Sequence, residues 1–157
     1  MMGESSKVSN AWLVEYREND AIAFGIHALQ EIVVNPRMIN VPLSPQYCHK
    51  TLRWKQRMLP VCNLSNLAVN ENVSCNQVMI VKYWLNKKAH YAGLECFKPP
   101  VFIQIYESRI CPLASSIRLP HTIITRCFQY QKKSVPIIDL ASLFTLQELN
   151  KNNNINQ

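Results

Sequence analysis

The chain has 157 residues, 48% hydrophobic and 17% charged, with a net charge of +7. That composition excludes disordered and fibrous classes and suits one domain, or two small lobes sharing a core. No stretch approaches the roughly 18–20 uninterrupted apolar residues of a membrane span, and the basic excess permits an acidic partner without requiring one.

Residues 1–10, MMGESSKVSN, read as a loose polar leader lacking the apolar run of a secretion signal. The expected location is therefore the cytoplasm, with reduced thiols. Next, AWLVEYR (11–17), a polar turn at END and AIAFGI (21–26) form a hairpin signature. HALQEI follows and suits one short helical turn before the extended VVNPRMINVP. A basic, aromatic-bearing link, HKTLRWKQ, leads to the strand RMLPVCNL, whose Pro60 belongs where no ladder bond is donated.

The second half repeats this order. QVMIVKYW (77–84), the turn LNKK and AHYAGLE (89–95) form another hairpin, and Pro99 and Pro100 then forbid a helix interior. A second basic link, RCFQYQKK, leads to KSVPIIDL. Pro60 and Pro136 are 76 positions apart, and Gly25 and Gly93, each in a returning strand, are 68 apart. Self-similarity on this scale implies two halves built alike, over about 11–70 and 76–146. Beyond Asp139, a plausible N-cap with Asn63 as its counterpart, Leu140, Leu143, Phe144, Leu146 and Leu149 suit a terminal amphipathic helix. Residues 150–157, NKNNNINQ, read as a disordered tail.

The cysteines stand at 48, 62, 75, 96, 111 and 127. No two have the close spacing of structural zinc ligands, and the four histidines are equally scattered. No metal and no cofactor is expected, and the cysteines read as small buried hydrophobes. Gly-rich phosphate loops, paired carboxylates and a serine elbow are missing from the sequence. Cys48 and His49 are adjacent, which on a strand points them to opposite faces. A non-enzyme is expected.

These stretches, in this order, resemble the CheW-like domain, the adaptor module of bacterial chemosensory systems. AIAFGIHALQEI (21–32) resembles the family's opening strand and Glu-Ile turn. PQYCHKTLRWKQRMLPVCNL (45–64) resembles its central block. The second hairpin and KSVPIIDLASLF resemble its closing elements. The resemblance spans 11–149 and implies a mainly β fold of two intertwined five-stranded SH3-like barrels with a short C-terminal helix. It also implies a non-catalytic scaffold, a monomer or weak self-associate. Such a scaffold couples a methyl-accepting chemoreceptor tip to the regulatory domain of a CheA-type histidine kinase, in flagellar or type IV pilus (twitching) systems.

By the same resemblance, Glu31 and Lys55 neighbour each other on a partner-binding surface with Trp54, Leu29, Arg53 and Gln56. Leu29, Leu52, Trp54 and Met58 are candidates for its apolar part, and Trp54 is expected in a link rather than a strand. The chain departs from the family in reading Lys50, Lys55 and Gln56 where Gly and Arg-Gly are usual, and Leu94-Glu95 where Val-Asp is usual. The family tends to be acidic and this chain is basic, which makes it a divergent member. A rival reading is a small basic β-barrel that binds nucleic acid. For that, Lys50, Arg53, Lys55, Arg57, Arg126, Lys132 and Lys133 must merge on one face with Trp54, Phe128 and Tyr130.

Overall fold

The computed structural model describes residues 7–146. In chain order the elements are β1 Val8–Arg17, β2 Asp20–Gly25, β3 Leu29–Val34, β4 Met38–Asn40, β5 Lys50–Trp54, β6 Arg57–Cys62 and α1 Leu64–Val69. The second half supplies β7 Gln77–Leu85, β8 Lys88–Cys96, β9 Val101–Tyr106, β10 Ile110–Cys111, β11 Ile124–Tyr130, β12 Lys133–Ile138 and α2 Leu140–Phe144. β1 takes the last three residues of the expected leader, because Val8–Asn10 pair with Gln104–Tyr106 of β9. The expected tail and Leu149 lie outside the described residues.

Two six-stranded sheets form, ordered β10-β11-β12-β2-β1-β9 and β3-β7-β8-β6-β5-β4. Adding or subtracting six from every strand number turns one order into the other, reversed. The halves are therefore equivalent, and each lends its first hairpin to the other's sheet. Both sheets curl, and with the short helices they make a CheW-like pair of barrels. Six strands stand where five were expected; the edge strands β4 and β10 have three and two residues, too short for a period-two pattern to show.

Alternation along the strands explains the cores. In β9 Ile103 and Ile105 are buried while Phe102, Gln104 and Tyr106 are exposed, as a half-covered strand requires. The first barrel encloses Ala11, Ala23, Ile103, Ile105, Phe128 and Val135. The second encloses Leu52, Leu59, Val61, Val78 and Ile80. Between them, Ile22, Phe24, Met79, Leu94, Leu140 and Leu143 belong to a shared core to which both sheets and both helices contribute.

Each proline strand joins the borrowed hairpin in parallel, Ile137 opposite Ala23 and Val61 opposite Gly93. The counterpart of Gly93 is thus Ala23, and the expected match with Gly25 is two residues off. The first hairpin has a bulge between Glu15 and Arg17, whereas the second pairs without interruption. Of the two glycines among the described residues, Gly93 alone needs to be glycine for space. A Cβ there would stand 2.8 Å from Val78 Cγ1 and 3.1 Å from Val61 Cγ2, while one on Gly25 would meet nothing within 4 Å.

Three further expectations are corrected. The helical turn expected in HALQEI is present as a 3₁₀ turn over Ile26–Ala28, but it is shorter than expected, since LQEI already belongs to strand β3. Both basic links are largely strand, β5 and β11, joined to β6 and β12 by two-residue turns. Asp139 occupies the N-cap position, yet its carboxylate accepts from Ser142 Oγ at 2.6 Å and makes no bond to a helix N–H. Asn63 does cap α1, accepting from the Asn66 N–H at 2.9 Å.

Candidate protein-docking site

Residues Lys55 and Gln56 close the β5–β6 hairpin with φ of 45° and 64°. Such turns require positive φ at both central residues and favour Asn-Gly. The left-handed shape therefore persists without glycine. It is held by register, since Trp54 faces Arg57 and Leu52 faces Leu59 across the hairpin.

Strand parity then sorts the side chains. Leu52 is buried and Trp54, two residues on, packs half-buried against the same second-barrel core. Trp54 ends strand β5 instead of lying in a link. Arg53 and Met58 face each other on the exposed side. Leu29 does not join this surface. It packs against the shared core, because a register shift between Leu29 and Glu31 turns it away from the direction of Glu31 and Val33.

Glu31 and Trp54 do meet. The indole Nε1 donates to Glu31 Oε2 at 2.6 Å. Glu31 and Lys55, expected to neighbour each other, form no ion pair within 4 Å; both meet Trp54, with Lys55 Nζ 4.6 Å from its ring centroid. Tyr91 of β8 packs on the other side of the cluster, 5.3 Å from the Trp54 ring and under Arg57, whose guanidinium carbon is 5.1 Å from the Tyr91 centroid. The result is an aromatic pair inside a rim of one carboxylate and several cations, with Gln56 exposed at the tip. Aromatic residues with Arg at the centre and charge at the edge are what protein interfaces favour.

Sequence reasoning missed Tyr91. Its signal is its place two residues before Gly93, whose pairing with Val61 brings β8 beside β6. It also missed a buried polar cluster behind the patch. Glu95 is 4% exposed, accepts from Asn63 Nδ2 at 2.8 Å, and has Lys50 Nζ at 3.4 Å. Lys50 is therefore no part of a docking rim; it neutralises an interior carboxylate that would be costly alone.

Burial pushes nearby thiols up, Cys48 and Cys96 to about 11 and Cys75 to about 12, with the Glu95 charge adding to the rise at Cys75. Protonated thiols of this kind are poor nucleophiles. His49 Nδ1 is 2.7 Å from the Gln46 carbonyl oxygen, so that nitrogen donates its proton there. Among the described residues, no group of three His, Cys, Asp or Glu is placed to hold a metal ion. No helix among them is long and apolar enough to cross a membrane.

The rival nucleic-acid surface is not assembled. Phe128 is 2% exposed and belongs to the first-barrel core, whereas Trp54 belongs to the second barrel. Arg126 is engaged with Glu107, at 2.9 Å through Nη2.

No family model matches the sequence, and no curated protein matches it. The fold, however, is similar to that of the scaffolding protein TtCheW from Thermoanaerobacter tengcongensis. The two superpose with a TM-score of 0.68 over 85% of this chain and 90% of that one, at 15% sequence identity. The fold is thus CheW-like, as the order of motifs implies.

Proposed function

We propose that this protein is a non-catalytic cytoplasmic scaffold. It couples a chemoreceptor tip to the regulatory barrel of a CheA-type histidine kinase, in a flagellar or pilus-based chemosensory system. The observation that carries the reading is the interleaved double barrel, similar over most of its length to a protein described as a scaffold. The Trp54–Tyr91 pair with Glu31, Arg53, Lys55 and Gln56 around it supplies one docking surface, through which charge sets partner choice and association rate.

A pull-down with the kinase's regulatory domain and the receptor tip from the source cell tests this. Lys55→Glu and Arg53→Glu alter only exposed side chains. They should lower capture of one partner severalfold while the melting temperature stays unchanged. Failure of the unaltered protein to capture any cognate kinase or receptor would refute the coupling role.

A further inference from the structure

A further surface feature lies at the end of the first barrel. An open groove of about 1240 Å³ runs between the β1–β2 turn, the β11–β12 turn, the Lys98–Pro99 link and the segment holding Arg118. Leu13, Tyr130 and Val135 give it apolar walls.

Its charge is lopsided. Arg17, Lys98, Arg118, Lys132 and Lys133 line it against only two carboxylates, Glu15 and Asp20. Both carboxylates are already matched, Asp20 by Arg17 at 3.5 Å and Glu15 by Lys98 at 3.4 Å. Lys133 Nζ donates to the Asn19 carbonyl at 3.1 Å, which leaves its charge unneutralised. Arg118 and Lys132 have no ion-pair partner among the described residues. Three positive charges therefore line this partly apolar groove without an ion-pair partner among the described residues.

We propose that this groove is a second docking site, one that takes an extended peptide segment rich in Asp and Glu. Carboxylates spaced along such a segment reach Arg118, Lys132 and Lys133 in turn, and its apolar residues cover Leu13 and Val135. A peptide fits better than single-stranded nucleic acid, whose bases need exposed rings to stack on. Of the two aromatic residues in the groove, Tyr16 is 7% exposed, and Tyr130 is half-buried edge-on to Phe128. The site stands on the groove's own chemistry and is independent of the coupling role.

The test is fluorescence anisotropy at low salt with the full chain and a labelled peptide of alternating Glu, Asp and Leu. Its Gln/Asn counterpart and labelled oligo-dT are run beside it. The acidic peptide should bind, and its neutral counterpart should not. The double variant Arg118→Glu with Lys132→Glu should weaken binding by about tenfold or more. Lys87→Glu with Lys88→Glu changes the net charge equally on exposed side chains that do not line the groove, and should leave affinity within about twofold.

Should the groove pair lose its fold, Arg118→Gln with Lys132→Gln serves in its place, again with a severalfold loss. Equal losses in both pairs, tighter binding of oligo-dT than of the peptide, wild-type affinity in the Gln pair, or no binding by the unaltered protein would each overturn the proposal.

Discussion

Each barrel ends in a two-residue left-handed turn that follows an aromatic ring, Trp54 before Lys55-Gln56 in the second barrel and Tyr130 before Gln131-Lys132 in the first. In the second barrel the indole lies against Tyr91 and bonds Glu31. In the first, the smaller phenol turns toward Phe128 and lines a groove. Duplication supplies one frame twice, and a few side chains at the rim give its two ends different surfaces.

Polar pairs behind the barrels differ in the same manner, and the largest expected effect is there. Lys50 and Arg126 are equivalent by position; one serves buried Glu95, the other exposed Glu107. Lys50→Met should destabilise by about 3 kcal/mol, because it strands a buried carboxylate. Arg126→Met should cost less than about 0.5 kcal/mol. Urea unfolding of the two variants measures the contrast, and equal losses would erase it.

The seams come next. Gly93→Ala should cost about 1–3 kcal/mol, as its methyl meets Val78 and Val61, and Gly25→Ala should be neutral within about 0.5 kcal/mol. Trp54→Ala should lower both stability and partner capture, since the indole belongs at once to the core and to the patch. Gln56→Gly and Lys132→Gly should each stabilise by about 0.5–1 kcal/mol by relieving positive φ. A gain in one turn only would show that the turns are not equivalent.

A further contrast concerns pH. An ordinary thiol ionises near 9.0, whereas the folded chain holds Cys48 and Cys96 at about 11. The unfolded chain therefore releases these protons first, and stability, full below pH 9, should fall as pH rises from there toward about 11. Cys48→Ala should flatten that slope in thermal melts taken from pH 8 upward.

The hairpins and the repeated proline strands were legible in the sequence because alternation and polar turns are local signals. β5 and β11 were partly hidden, since Arg53, Arg126 and their basic neighbours look like linker, though Leu52 and Trp54 keep the inward parity. The exchange of hairpins between sheets depends on pairings such as Ile137 with Ala23, which no local window reports. The nearness of Glu31, Trp54 and Lys55 was legible through resemblance to a known pattern. Their actual bonds were not, because Tyr91 and the register of β3 enter only once distant strands meet. The groove was invisible for the same reason: Arg17, Lys98, Arg118 and Lys132 come from four separate segments.

The lending of hairpins also has a consequence for synthesis. As the chain leaves the ribosome, neither sheet can close when the first half emerges, because β1 and β2 await β9 and β12 while β3 to β6 await β7 and β8. Nascent chains must hold two unfinished sheets until nearly the last strand appears, a late and cooperative assembly with mostly distant pairings.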